Sequence, residues 1–112
     1  MTFDDYEKIA RTTDSTQGHP FISAKFMSIV LGLAGETGEI MEKFKKICWH
    51  KEGVWTEEDK KELAKELGDV LWYTSSLAGH VGLSLEEIAK QNLEKIKSRV
   101  DRGVHQGFGD NR

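Results

Sequence analysis

The sequence predicts an all-α fold: a four-helix bundle with a short N-terminal helix, two long antiparallel helices and a fourth helix. Three observations carry this. Apolar residues recur at three- and four-residue spacing through most of the chain, the period of a helix with one buried face. A single proline, Pro20, interrupts the 112 residues. Thr56 and Ser84 each stand three residues ahead of an acid, the arrangement that caps a helix start.

The first helix is predicted over residues 2–12, with Thr2 as N-cap and Phe3, Tyr6, Ile9 and Ala10 on its inner side. Residues 12–20 (TTDSTQGHP) are polar and rich in breakers, hence a loop. The second helix is predicted over residues 21–49, with Phe26, Ile29, Val30, Leu33, Ile40, Phe44 and Ile47 as its apolar arc. Lys51-Glu52-Gly53 ends it. Thr56 with Asp59 opens a third helix to about Val81, whose arc is Leu63, Leu67, Val70, Leu71, Thr74, Leu77 and Ala78. Gly82 closes that helix, and Ser84 with Glu87 forms a capping box for a fourth over residues 85–100. Residues 101–112 are a glycine-rich tail without periodicity. Short connections between helices two, three and four favour antiparallel neighbours.

The length fits one domain, residues 1–112. Apolar residues make up 38% and charged residues 31%, so a modest core is within reach. With 16 Lys+Arg against 19 Asp+Glu, the net charge of −3 argues against broad nucleic-acid binding, which needs a dense basic surface. The acidic start MTFDDYEKIA lacks the pattern of a signal peptide, and no apolar run approaches the roughly 20 residues that cross a bilayer. The lone Cys48 can form no intrachain disulfide and is expected as a small buried residue. A cytoplasmic protein with no membrane partner is expected. Two helices of about 25 residues are long for so small a core. Their apolar faces point to a homo-oligomer, a dimer or tetramer.

Four acids break the pattern. Glu36 and Glu39 on helix two, and Glu66 and Asp69 on helix three, are each three residues apart, so each pair shares a helical face and repels itself. At about 100° per residue, Glu36 projects only ~20° from Ile29 and ~40° from Ile40, and so edges into the apolar arc. Glu66 sits likewise between Leu63 and Val70. Acids at a core boundary lose hydration and call for cations or protons. Antiparallel packing would face one pair against the other and make an oxygen-rich cluster suited to a hard cation, Mg²⁺ or Mn²⁺. A di-iron site wants Glu-x-x-His, and neither pair has a histidine. A solvated acidic surface is the ordinary alternative for any one such pair.

Residues 31–39 (LGLAGETGE) with Lys45-Lys46, and residues 66–73 (ELGDVLWY), resemble the MazG-like nucleotide pyrophosphohydrolases. That family carries a Glu-x-x-Glu helix and a downstream Glu-x-x-Asp helix, matched here by Glu36, Glu39, Glu66 and Asp69. The similarity extends to residues 6–12 (YEKIART) and 92–99 (NLEKIKSR). The resemblance implies a MazG-like helical bundle. It also implies Mg²⁺-dependent hydrolysis of (deoxy)nucleoside triphosphates between the α and β phosphates, to monophosphate and pyrophosphate, in nucleotide-pool cleansing. The four acids would serve as metal ligands and catalytic carboxylates, and relatives of this size work as dimers or tetramers. The alternatives are another pyrophosphate-containing substrate, or a non-catalytic helical module.

No GxxxxGK[ST] loop is present, so phosphate partners must be side chains. Lys43 and Lys46 follow Glu39 on the acid-bearing side, and Asn92, Lys95 and Arg99 form one polar stripe on helix four. Relatives use that helix near the phosphates, and Tyr73, one turn after Asp69, matches a position that can border the base. Trp49, Trp55 and Trp72 are expected as buried or interface aromatics, and His19 and His50 as surface histidines. Asn111 or Arg112 in the tail could touch phosphate in a neighbouring site, against the simpler reading of a frayed end.

Overall fold

The computed structural model describes residues 1–103 and Gly109. Among these residues the chain forms four α-helices and no strand: α1 (Phe3–Ala10), α2 (Ala24–His50), α3 (Glu57–His80) and α4 (Leu85–Asp101), with a 3₁₀ turn at Arg11–Thr13 after α1.

Helix ends follow the local chemistry. Thr2, Thr56 and Ser84 each accept the backbone N–H three residues on, while Asp5, Asp59 and Glu87 reach back to the cap N–H. Each box satisfies two donors that a helix start otherwise leaves open. α2 begins three residues later than expected: Ile22 takes a left-handed φ of 58°, which stops a helix there, and Ser23 caps instead by accepting the Phe26 N–H. α3 ends where Gly82 turns at φ 75° and the Leu83 N–H reaches back to the Ala78 carbonyl.

The long α2 and α3 form an antiparallel hairpin, the most extensive packing in the chain. Its turn is tied by Lys51 Nζ, 2.9 Å from Asp59 Oδ1. α1 packs across α3 and α4. The apolar core is thin: Phe26, Ile29, Ile47, Ala78 and Leu85 are buried. The radius of gyration is 17.1 Å, against about 13 Å for a compact chain of this length.

Several arc assignments change. Leu67 and Phe44 are exposed, because α2 and α3 meet along only part of each arc and Phe44 instead stacks on Trp55 at 5.6 Å. On α1, Ile9 is 71% exposed and Glu7 takes the buried position, since that face meets hydroxyl and N–H donors rather than apolar atoms. Cys48 is exposed, contrary to expectation: it lies 100° past buried Ile47, away from α3. Trp49 is 81% exposed rather than buried in this chain. Trp72 is half-buried and donates to Thr13 Oγ1 at 3.0 Å. His19 and His50 lie on the surface as expected.

Candidate metal centre

The antiparallel hairpin sets the acids of α2 against those of α3. Carboxylate oxygens of Glu36, Glu66 and Asp69 lie within 4.8 Å of one another. Glu36 and Glu66 are half-buried and Asp69 is exposed, so the cluster opens to solvent on one side. Glu39, the fourth expected member, is exposed and stands one turn along α2, outside this convergence. Burial, then the charges of Asp69, Glu66 and Glu39, pushes the Glu36 carboxyl above its ordinary pKa. Three acids converging in this way repel one another, which favours a cation between them.

The donor set suits a hard cation. Oxygens around octahedral Mg²⁺ at 2.0–2.1 Å are separated by about 3 Å (adjacent) to about 4.2 Å (opposite). Oxygens already within 4.8 Å therefore need only small side-chain movements to close on one ion.

Lys43 bridges the edge of the cluster, with Nζ 3.5 Å from Glu66 Oε1 and 3.7 Å from Glu62 Oε2. It also lines a cavity of about 230 Å³ at the hairpin end, together with Lys46, Lys51, Phe44 and Trp55. The two lysines singled out from sequence thus share one cavity beside the acids. Tyr73 lies one turn beyond Asp69 with its ring against α2: a Cβ built on Gly32 would fall 2.1 Å from Tyr73 Cε1. The ring also meets Trp72 edge-on at 5.0 Å.

The α4 stripe stands apart from that cavity. Asn92 and Lys95 line a separate open depression with Ile88 and Gln91. Arg99 is buried and donates through Nη2 to the Gly109 carbonyl at 3.2 Å. Asn111 and Arg112 fall outside the described residues.

A second set of acids escaped the sequence reading. Glu7 accepts from Ser75 Oγ at 3.0 Å, from the Leu85 N–H at 2.7 Å and from Arg11. Asp14 accepts from Ser76 Oγ at 2.6 Å, Thr16 Oγ1 at 2.6 Å, the Thr16 N–H at 2.9 Å and Gln17 Nε2 at 2.9 Å. Burial alone would raise both pKa values. The donors outweigh it, lowering that of Glu7 and holding Asp14 at about 2. The available signal was Ser75-Ser76 beside the apolar arc of α3, since buried hydroxyls require partners.

Residues 24–104 match the MazG nucleotide pyrophosphohydrolase domain. Among curated proteins, the Gene 37 protein of Mycobacterium phage L5 is 50% identical over 84 residues, 75% of this chain and 74% of that protein. The uncharacterized protein YvdC of Bacillus subtilis (strain 168) is 41% identical over 44 residues, 39% of this chain and 42% of its own length. No solved structure gives a significant match. The matched segment includes the acid cluster, the lysines beside it and all of α4, and it supports nucleotide pyrophosphohydrolase activity in general. This chain belongs to the MazG nucleotide pyrophosphohydrolase domain family.

Proposed function

We propose that the chain hydrolyses (deoxy)nucleoside triphosphates between the α and β phosphates, releasing a monophosphate and pyrophosphate, with Mg²⁺ as cofactor and Mn²⁺ as a substitute. The observation that carries the reading is the convergence of Glu36, Glu66 and Asp69 within a family of this chemistry. These three hold the cation. Glu39, one turn along α2, would be the fourth ligand. A cation held there would supply charge neutralisation for the polyphosphate and a water of lowered pKa. In the overall hydrolysis the water oxygen ends on the α phosphate and the bridging oxygen leaves with pyrophosphate. One carboxylate of the cluster accepts the water's proton. Lys43 and Lys46 meet phosphate oxygens from the adjoining cavity and Tyr73 borders the base, while Asn92, Lys95 and Arg99, which stand apart from that cavity within one chain, would add polar contacts only in the assembled oligomer. The role is cleansing of the nucleotide pool in the cytoplasm.

The working form is a homo-oligomer. α2 carries a second apolar stripe, Met27, Leu31, Ala34, Gly38 and Met41, roughly 130° round the helix from the arc that meets α3. Leu31 is 67% and Met41 62% exposed, and a Cβ at Gly38 would meet nothing within 4 Å. The alternating four- and three-residue spacing suits the same helix of a second copy.

The direct experiment incubates pure protein with a panel of ribo- and deoxynucleoside triphosphates and Mg²⁺, then measures pyrophosphate and monophosphate. Equal amounts of the two products support the reading. Release of orthophosphate, or turnover only of some other pyrophosphate compound, contradicts it.

A further inference from the structure

The acids of the cluster face one another, yet a protein cation already reaches them. Lys43 leaves α2 one turn beyond Glu39, while Glu62 and Glu66 are successive turns of α3, so its ammonium spans the two helices at the rim of the cluster. The Lys43 side chain is half-buried, with the cavity of Phe44 and Trp55 on its other side. Glu66 belongs to the converging carboxylates and Glu62 does not. Glu62 is otherwise held by Lys65 at 2.9 Å, which together with Lys43 lowers its pKa. A firm anion therefore stands beside Lys43 whatever happens at Glu66.

We propose that Lys43 is a positioning residue that occupies the cation's place against Glu66 in the metal-free protein and passes to Glu62 when a divalent cation takes Glu66, leaving its ammonium facing the polyphosphate. The inference rests on reading the cluster as a metal centre.

The physics is a competition. An ammonium and a divalent cation repel at short range and cannot share the same carboxylate oxygens at full strength. Lysine suits the exchange because its charge is compact and its four-carbon stem flexible, so the head can shift by a few ångströms without moving the backbone. Glu62 makes the shift short, since its oxygen is already within ion-pair distance. Lys43 would then weaken metal binding to the empty enzyme and strengthen nucleotide binding to the loaded one, favouring cation and polyphosphate arriving together.

The test is a titration of nucleotide-free protein with Mn²⁺, following free Mn²⁺ by electron paramagnetic resonance, together with steady-state kinetics. K43M is expected to bind Mn²⁺ about fivefold more tightly, the weight of one partly exposed ion pair, while its KM for nucleotide rises and K43R restores KM. E62Q is expected to weaken Mn²⁺ binding about twofold to threefold in the wild-type background and to have no effect in K43M, because neighbouring groups that act through each other are not additive. Unchanged Mn²⁺ affinity in K43M, or an E62Q effect that persists in K43M, overturns the inference alone. Absence of Mn²⁺ binding in the wild type overturns the metal centre, and the inference with it.

Discussion

α3 carries carboxylate partners at two places, and the two are opposite in kind. Near its C-terminal end, Ser75 and Ser76 donate to Glu7 and Asp14 in a buried pocket completed by Thr16, Gln17, Arg11 and the start of α4. Along its middle, Glu66 and Asp69 face Glu36 in a half-open site with Lys43 only at the rim. The first pair sits deeper, yet its charge is held firmly. The second is more exposed, yet Glu36 is pushed towards protonation. Depth does not decide the matter. Donors do, because hydrogen bonds to the charged form offset burial while neighbouring like charges add to it. The donor-rich end fastens α1, the following loop and α4 to α3. The donor-poor middle stays open for a ligand.

The contrast is sharpest in paired substitutions. E36Q is expected to lower turnover at least about a hundredfold, since a direct ligand should cost no less than the groups that support ligands, with the helical circular dichroism spectrum unchanged. Near-wild-type turnover would remove Glu36 from the centre. D14A leaves the Ser76 hydroxyl without its acceptor and takes one partner each from the Thr16 hydroxyl, which keeps His80, and from the Gln17 amide, which keeps the Ser76 carbonyl. It is expected to cost about 2–3 kcal/mol, read as a lower urea midpoint, with the Mg²⁺ response preserved.

Acidity separates the regions by sign. Asp14 falls from 3.8 to about 2 on folding, so its stabilisation is complete above about pH 4 and is lost as pH drops through 4 towards 2. Glu36 is raised, so the folded state binds its proton more tightly than the unfolded one, and stability is lost as pH rises through that raised value. Metal-free protein should therefore gain slightly in stability as pH falls from neutrality towards the ordinary carboxylate range, and lose it below about pH 4 as Asp14 takes up its proton. Urea melts across this range check both limbs, and E36Q should erase the first alone.

The smallest effect lies at the junction. G32A would drive a methyl group into the Tyr73 ring, between the two regions of α3. Overpacking costs roughly 1–3 kcal/mol, and replacing a helical glycine returns about 1. A net loss of about 1 kcal/mol is expected by urea denaturation.

How much of this was legible follows the range of the interactions. The starts of α1, α3 and α4 were readable because each capping box spans four consecutive residues. The four acids were readable because their spacing sets them against an apolar arc. The roles of Glu7 and Asp14 were not, since their donors on Ser75, Ser76 and the Leu85 N–H lie more than sixty residues away in sequence. The late start of α2 rests on one backbone angle at Ile22. The exposure of Cys48 depends on how far along its length α2 meets α3. Periodicity reports faces, and only the packed hairpin shows which part of a face is covered.

The central claim is that the donor-poor cluster binds a divalent cation and that the donor-rich one does not. The most direct measurement is the melting temperature with and without millimolar Mg²⁺ at constant ionic strength, in wild type, E36Q and D14A. A cation at ten times its dissociation constant stabilises the folded state by about 1.4 kcal/mol. A rise in wild type and D14A that is absent in E36Q is the predicted result. No rise in wild type, or an equal rise in E36Q, would contradict the account.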